Sequence, residues 1–396
     1  MNETEYSSIA VSPHLLSGDF GIADEFDQYV WVDRPNSSLP YPNEEVTSQM
    51  HEISQKGGWE TPFEKYADFL RLTVKNKSYK GLVNGAHHLY RKYNENQGNW
   101  LDDGAEEVLS KSLSLIEKSD PPVFLFANFI EPHSPYRPPK EYIYEFVDDD
   151  IPIEELNDII AKSSLKLTAG EDELDPVEKE TLIDLYDAEI KYLDSLIGNF
   201  VKDVRENDPH TKIIITSDHG DLFGEWGVWG HQAKIHPNLA RVPLILSDPS
   251  KHPDRISEPV SLRDLYEYIV NSVNGNEVEI STNDVVISEY YGWDTQLAIQ
   301  PWEEYDQISI DEFGQYQVAL FDGQSELLVD SFGTTRQFNL MKEGLPEEPV
   351  SEELVSILEQ KIGDPRQKHE KYRGEQSNGG QPSDEMKEHL EHLGYM

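Results

Sequence analysis

Residues 212–221 read KIIITSDHGD, and this stretch decides the fold. Its apolar part is short and rich in isoleucine, which predicts a strand buried inside a sheet. Asp218 and His219 follow directly at the carboxyl end of that strand. Open α/β sheets bind their ligands just beyond the carboxyl ends of strands, so these two side chains mark a candidate site.

The flanking segments supply the rest of an α/β domain. Asp175 and Pro176 predict the start of a long helix, because an acidic cap followed by proline favours the first helical turn. Apolar runs at 7–12, 123–130 and 242–246 predict further buried strands. Strands alternating with helices predict a mostly parallel sheet flanked by helices. The apolar stripe of the long helix recurs with a helical period and consists of Leu182, Leu185, Tyr186, Ile190, Leu193, Ile197, Phe200 and Val204.

The sequence pattern divides the chain into three parts. Residues 1–255 predict the α/β domain, and residues 256–364 predict a smaller α+β subdomain in which a helix precedes alternating strands. Residues 365–396 combine a polar linker with a short terminal helix. Within the first part, residues 140–174 are acidic and irregular, and we expect a surface excursion there. Asp103 predicts the N-cap of a further helix.

Composition limits the classes of partner. Among 396 residues, 76 are acidic and 33 basic, a formal net charge of −43. Concentrated salt screens such self-repulsion, so we expect adaptation to high salt, as in halophilic archaea; the alternative is an ordinary acidic protein. Nucleic acid is excluded as a partner because binding it requires a basic surface. With no cysteine, no signal peptide and no membrane-length apolar run, we expect a cytoplasmic protein without a membrane partner. The sequence leaves the oligomeric state open.

Two motifs carry the candidate chemistry. Asp218 and His219 offer an oxygen and a nitrogen donor to a divalent cation; the alternative is a strand-ending Asp beside a hydrogen-bonded surface His. His133 stands between prolines in the motif EPHSPY, after the apolar run 123–130. It could donate a hydrogen bond to a substrate anion or act as a general acid, or it could simply cap a turn.

A third group of candidates lies on the loop after Gly230. His231, Lys234 and His236 crowd this loop, although the protein as a whole is strongly acidic. They could hold a sulfate or phosphate group, or they could form a solvated loop.

These motifs together resemble the sulfatase family of the alkaline phosphatase superfamily. FLFANFIEPHSPYRPP is similar to the family segment in which a strand ends in a substrate-contacting histidine. ITSDHGDLFGEWGVWGHQAKIHPNLARVPLIL is similar to the family's second metal-binding segment and the loop after it. SIAVSPHLLSGDFGIADEFD, YDAEIKYLDSLIGNF, SLRDLYEYIV and MKEHLEHLGYM also resemble family segments in the family's order.

The resemblance implies roles for five residues. Asp218 and His219 would ligate a divalent metal, with calcium implied by the family and manganese or zinc as alternatives. His133 would contact the transferring group. The family's basic residue of the following loop would be His231 first and Lys234 second. The implied substrate is a sulfate ester, and a sulfated glycan is the expected class.

One departure from the family limits this interpretation. Sulfatases carry a Cys or Ser in a C/S-x-P-x-R segment and metal-binding acids at the end of the first strand, and we find neither here. We therefore expect a truncated chain that lacks its nucleophile-bearing segment. The alternatives are a non-catalytic sulfatase-like binding protein, and a phosphodiesterase, phosphonate hydrolase or phosphoethanolamine transferase of the same superfamily.

Overall fold

The computed structural model describes residues 5–13, 22–34, 71, 73–75, 79–120, 122–162, 164–231, 234–252, 254–292, 315–364 and 367–368. The strands are β1 (Ser7–Ser12), β2 (Gln28–Trp31), β3 (Val123–Ala127), β4 (Ile213–Thr216), β5 (Leu222–Phe223), β6 (Trp229–Gly230), β7 (Leu244–Ser247), β8 (Val286–Tyr290), β9 (Gln317–Phe321), β10 (Ser325–Asp330), β11 (Thr335–Asn339) and β12 (Glu347–Glu348). The helices are α1 (Tyr79–Glu95), α2 (Ala105–Lys118), α3 (Lys140–Ile143), α4 (Ile153–Ile160), α5 (Ser164–Ala169), α6 (Pro176–Asn207), α7 (Pro237–Ala240), α8 (Asp264–Val273) and α9 (Glu352–Ile362), with short 3-10 turns at Ala23–Glu25 and Glu225–Gly227.

A three-stranded parallel sheet organises the first half of the chain. Its order is β2-β1-β3, and β1 lies in the centre with its apolar side chains fully buried. The register pairs Val11 with Ala127 on one side and with Val30 on the other, so all three strands end at the same edge. Residues 32–34 and 128–137 therefore leave the sheet together.

The long helix α6 covers the segment that carries His133. Its start is confirmed: the Asp175 side chain accepts from the amides of Val177 and Glu178, and the Glu178 side chain accepts in return. Proline occupies the first helical position. The buried Leu185 of this helix packs in a core cluster with Tyr136 and Phe223.

The segment 140–174 is not the surface excursion that its acidic composition predicts. It forms α3, α4 and α5, and Ile143 and Leu156 are fully buried in the core cluster beneath α6. The acidic residues occupy the outer faces of these short helices, so composition hid their apolar faces.

The strands around the quoted stretch also differ from expectation. The predicted strands at 212–217 and 242–246 pair with each other in antiparallel orientation, as β4 and β7, instead of extending the parallel sheet. β7 is not buried on both faces either, since Ile245 is 54% exposed. The same holds for β3 of the parallel sheet, where Phe126 is 39% exposed. Apolar runs record the hydrophobicity of a strand but not the direction of its partner. Helix α8 covers one face of this pair through Leu265 and Tyr268.

The α+β character of the C-terminal part is confirmed. Strands β8 to β12 form a five-stranded antiparallel sheet in the order β12-β11-β10-β9-β8. One face packs against α9 through Leu320, Leu327 and Leu354. The other face packs Ala319 and Phe321 against Ile235, on the loop that carries His231 and Lys234. This second sheet therefore supports the site loop from behind.

Several predicted segments lie outside the described residues. They are the terminal helix and nearly all of the linker at 365–396, together with residues 14–21 of the segment SIAVSPHLLSGDFGIADEFD. Among the helices that the structure describes, none combines the length and apolarity needed to cross a bilayer.

Candidate active site

Three histidines meet beyond the carboxyl ends of the strands. His133 follows β3, His219 follows β4, and His231 follows β6. The ring centroids of His133 and His231 are 5.2 Å apart, and those of His219 and His231 are 4.2 Å apart with nearly parallel planes. The structure thus brings together three of the five predicted site residues in one cluster, although their chemical roles stay predictions.

Each of these rings has an oxygen beside its Nδ1 atom. The distances are 2.6 Å from His133 to the Ser134 carbonyl, 2.8 Å from His219 to the Gly220 carbonyl, and 2.9 Å from His231 to Asp221 Oδ1. A carbonyl or carboxylate oxygen can only accept, so in the neutral ring the proton lies on Nδ1 and the lone pair on Nε2. This is the tautomer that suits a histidine acting through Nε2 on a cation or a substrate.

Asp221 connects the two motifs of the sequence. One carboxylate oxygen accepts from His231, and the other accepts from the Tyr136 hydroxyl at 2.6 Å. Burial raises the pKa of Asp221, but the hydrogen bond and charge of His231, the hydrogen bond of Tyr136 and the charge of His133 outweigh it and hold that pKa below its ordinary value. Asp221 is therefore ionised at neutral pH, while burial first and Asp221 second raise the pKa of Tyr136 and keep the phenol protonated. We call Tyr136, Asp221 and His231 the inner wall.

Buried carboxyl groups anchor the chain on both sides of His133. Glu131 accepts from the amides of Asp103 at 2.7 Å and Ala105 at 3.2 Å, at the start of α2. Glu189 on α6 accepts from the amide of Arg137. Asp103 is thus not the N-cap that the sequence predicts; Gly104 occupies that position, and Glu131 satisfies the first amide of the helix.

The electrostatics of His133 favour the neutral ring. Burial comes first and the neighbouring His231 second in lowering the pKa of His133 below its ordinary value. Arg34, at the end of β2, lowers it further and forms an ion pair with Asp103 at 3.4 Å. A neutral His133 with its proton on Nδ1 presents the Nε2 lone pair to the site and avoids the cost of a buried positive charge.

The Asp218–His219 pair forms an exposed part of the site, which we call the rim. The Asp218 side chain is 87% exposed and that of His219 is 34% exposed, against 4% for Asp221. Asp218 Oδ2 lies 3.8 Å from His219 Nε2, the nitrogen that carries the lone pair. A carboxylate oxygen and an imidazole nitrogen at this separation fit two neighbouring ligands of one divalent cation.

A further geometric grouping includes Asp221. Among the described residues, His219, Asp221 and His231 form the one group of three potential metal ligands whose ligand atoms all lie within 4.8 Å of one another. However, both oxygens of Asp221 already accept a hydrogen bond. The exposed rim pair and this group are therefore two candidate sets of cation ligands, and His219 belongs to both.

Lys234 and His236 occupy different places on the same loop. Lys234 is half-buried and precedes Ile235, whose amide donates to Gln317 on β9 at 3.0 Å. His236 is fully buried and is the N-cap of α7, with Nδ1 accepting from the Asn238 amide at 3.0 Å. Burial lowers the pKa of His236 to about 4, so this ring is a neutral structural group and not a cationic contact for an anion.

Sequence reasoning missed the residues that hold the site together. Tyr136 and Asp221 both stand within quoted motifs, but only the structure reveals the hydrogen bond between them across 85 positions. Arg34 lies outside the quoted motifs, and Glu189 lies within the quoted segment YDAEIKYLDSLIGNF, where nothing in the sequence distinguishes it as a partner of the Arg137 amide. A single sequence does not reveal which residues far apart along the chain form hydrogen bonds with each other.

Comparison with known proteins identifies the class. Residues 43–274 match the profile of the family described as Sulfatase, and the chain belongs to that family. It is 27% identical over 205 residues to an arylsulfatase of Clostridium perfringens, covering 47% of this chain and 42% of that protein. It is also 27% identical over 161 residues to a choline-sulfatase of Rhizobium meliloti, covering 38% and 31%. The chain therefore spans less than half the length of these curated relatives.

Solved structures agree on the fold. The crystal structure of the phosphonate monoester hydrolase of Agrobacterium radiobacter superposes with a TM-score of 0.54, covering 93% of this chain and 79% of that one at 13% identity. Such a likeness establishes the shared architecture, an α/β fold with a smaller C-terminal sheet, and leaves function to the site.

Proposed function

We propose that the protein acts in hydrolysis of sulfate esters with the help of a divalent cation. The observation that carries this proposal is the meeting of His133, His219 and His231 beyond the strand ends of a sulfatase-family fold. In hydrolysis an oxygen from water bonds to sulfur and the bond between sulfur and the ester oxygen breaks; the ester oxygen takes up a proton and leaves as a hydroxyl. We assign none of the described residues as the attacking nucleophile.

We propose that His133, His231 and Lys234 contact the oxygens of the ester. In the doubly protonated form of the ring, His133 and His231 are proposed to donate from Nε2 to these oxygens or to supply the proton that the leaving oxygen needs, because the neutral Nδ1–H ring presents only a lone pair there. Their mutual edge-on contact at 5.2 Å lets both rings reach one tetrahedral group. Lys234 is proposed as a further cationic contact from the same loop. A sulfated glycan is the proposed substrate class, because an exposed rim admits a bulky ester.

The rim is proposed to hold the cation. Asp218 would supply an oxygen ligand and His219 a nitrogen ligand through Nε2. A bound cation would neutralise charge on the ester oxygens. Calcium is the proposed ion because sulfatases act through hard oxygen-rich sites, while the imidazole ligand leaves manganese and zinc as alternatives for the same experiment.

A phosphonate or phosphodiester is the second candidate substrate. The fold likeness to a phosphonate monoester hydrolase favours it, and a phosphoryl group has the same tetrahedral shape. A catalytically inactive binding protein is the third hypothesis, since no nucleophile is assigned.

Turnover measurements separate these candidates. The longest reading frame that contains this chain is assayed in molar salt with an aryl sulfate, an aryl phosphonate and an aryl phosphodiester, with calcium or manganese. We expect the sulfate to be turned over fastest, and His133→Asn to reduce kcat/KM about 100-fold or more, the scale of a lost acid or donor. Preference for either phosphorus ester would overturn the sulfatase proposal. No turnover of any ester would support the binding protein.

The matched control for that variant is His252→Gln. His252 is an exposed histidine on the loop after β7, which runs antiparallel to β4 and so ends at the opposite side of the sheet from the site. We expect its activity to equal that of the unaltered protein.

Concentrated salt is the proposed working environment, and the cytoplasm the proposed compartment. A net charge of −43 repels itself in dilute buffer, and salt screens that repulsion. The midpoint of thermal unfolding should then rise steadily between dilute and molar potassium chloride. A midpoint that is unchanged over this range would contradict salt adaptation.

A further inference from the structure

The inner wall is a chain of two hydrogen bonds that ends on a site histidine. The Tyr136 hydroxyl donates to Asp221 Oδ2 at 2.6 Å, and Asp221 Oδ1 accepts from His231 Nδ1 at 2.9 Å. The side chains of Asp221 and His231 are 4% and 14% exposed, so water competes little with either bond. This arrangement gives the His231 ring a fixed tautomer and a fixed plane.

Tyr136 is itself held firmly. It is 3% exposed, and its ring packs against Tyr186 at 5.2 Å and Phe223 at 5.8 Å. The next residue along the chain, Arg137, donates its amide to the buried Glu189 of α6. The phenol hydroxyl therefore has one direction available to it, toward Asp221.

Asp221 lies behind His231, and one of its carboxylate oxygens also lies within 4.8 Å of a ring nitrogen of His219. A cation ligand needs an oxygen directed at the ion, yet both Asp221 oxygens are directed at hydrogen donors. The exposed carboxylate of Asp218, three residues earlier, has the position that a cation ligand needs. The two aspartates of the DHGD motif thus have different surroundings.

We propose that Asp221 is a positioning residue that acts through His231, and that Tyr136 fixes Asp221 in turn. This inference deepens the proposed function, on which it rests for the role of His231. These two hydrogen bonds, which we call the relay, hold the Nδ1–H tautomer of His231 and direct its Nε2 into the cleft shared with His133 and His219. A third cation ligand at Asp221 is the competing assignment.

The tautomer of His231 is the direct test. Histidine-selective ¹⁵N labelling of the full chain in molar salt gives the ring nitrogen shifts, and His231→Gln assigns the signal. We expect Nδ1–H in the unaltered protein and a mixture dominated by Nε2–H in Asp221→Ala. Asp221→Asn should restore Nδ1–H, because its amide oxygen still accepts. An unaltered protein with Nε2–H, or an Ala variant that keeps Nδ1–H, would overturn the relay.

Manganese binding separates positioning from ligation. We expect Asp218→Asn to weaken the affinity for Mn²⁺ at least tenfold and Asp221→Asn to change it less than about threefold, since only the first replaces a charged carboxylate ligand with a neutral amide. Equal losses in the two variants would make Asp221 a ligand and contradict the proposal.

The hydrogen bond from Tyr136 to Asp221 is tested by a matched pair of variants that each remove one tyrosine hydroxyl. Tyr136→Phe removes the hydroxyl that donates to Asp221, and Tyr186→Phe removes a hydroxyl from the same aromatic cluster. We expect only Tyr136→Phe to broaden the His231 ring signals and to lower kcat about tenfold with little change in KM, because orientation matters most in the transition state. Identical behaviour of the two variants would remove Tyr136 from the relay.

The two proposals can fail separately. If no sulfate ester is turned over but the tautomer depends on Asp221, the relay stands and the proposed function fails. If sulfate is turned over while the tautomer ignores Asp221, the function stands and the relay fails. Circular dichroism of each variant checks that it is folded.

Discussion

Asp221 and Asp218 lie three residues apart on one loop and have opposite surroundings. The inner wall encloses Asp221 at 4% exposure with both oxygens hydrogen-bonded, whereas the rim exposes 87% of the Asp218 side chain. Both hydrogen bonds of the inner wall join side chains of this chain. At the rim, the two candidate ligand atoms, Asp218 Oδ2 and His219 Nε2, are 3.8 Å apart.

This difference indicates which part of the site is preorganised. Buried hydrogen bonds fix geometry and penalise the loss of a partner, so the inner wall should matter to folding as well as function. An exposed carboxylate contributes little to folding and remains available to a ligand. Stability measurements can therefore distinguish the two regions without any substrate.

The largest effect is expected for Asp221→Ala. It leaves the Tyr136 hydroxyl and the His231 Nδ1–H buried without their acceptor, and each lost partner costs about 1 to 3 kcal/mol. We expect unfolding in urea, in molar salt, to show a loss of about 3 kcal/mol in total. Asp218→Ala is the control and should leave the midpoint unchanged; an equal loss there would erase the distinction between wall and rim.

Gly220, between the two aspartates, should be nearly as sensitive. A Cβ atom at this position would meet the Asn238 carbonyl oxygen at 2.1 Å, and a backbone oxygen cannot rotate away. We expect Gly220→Ala to destabilise the protein by about 2 to 3 kcal/mol, as for other overpacked sites. The comparison variant is Gly227→Ala, where nothing lies within 4 Å but φ is +76°, so only backbone strain of about 1 kcal/mol is expected. If Gly227→Ala destabilised the protein more than Gly220→Ala, the loop around Gly220 would have to adjust freely to the added Cβ atom.

Much of this contrast was invisible in the sequence, although the elements were not. The helical period and the Asp175–Pro176 start predicted α6, and the apolar runs predicted β1, β3, β4 and β7. The antiparallel pairing of β4 with β7 could not be predicted, because an apolar run carries no information on the direction of its neighbour. The buried helices of segment 140–174 were missed because charge dominated its composition.

The site followed the same rule. The site residues within motifs were found because functional side chains cluster at strand ends. They are His133, Asp218, His219 and His231. The hydrogen bonds of Tyr136 to Asp221 and of Glu189 to Arg137 join distant parts of the chain, so no local pattern encodes them. His236 was misjudged as a cationic contact, because only its burial distinguishes it from its neighbour His231.

His236 sharpens the comparison through pH. Its folded pKa is about 4 against 6.5 for an unperturbed histidine, so the unfolded state takes up a proton first as pH falls. The stability from its neutral ring is complete above about pH 6.5 and is lost progressively down to about pH 4, by about 2 kcal/mol after allowing for solvent screening. The measurement is the pH dependence of unfolding for His236→Asn, which keeps an N-cap but does not titrate. Parallel curves for the two proteins would rule out a buried neutral ring.

The smallest expected effect belongs to the rim and appears only with a cation. A ligand that binds the folded state alone stabilises it by about 1.4 kcal/mol at tenfold excess over its Kd. We expect calcium, manganese or zinc to raise the unfolding midpoint of the unaltered protein, and Asp218→Asn to reduce that rise strongly because it replaces a charged carboxylate ligand with a neutral amide. Asp221→Asn, although less stable at the start, should keep the full increment. If instead no divalent cation stabilises the unaltered protein, the exposed Asp218 is a solvated strand end, and the inner wall alone defines the preorganised site.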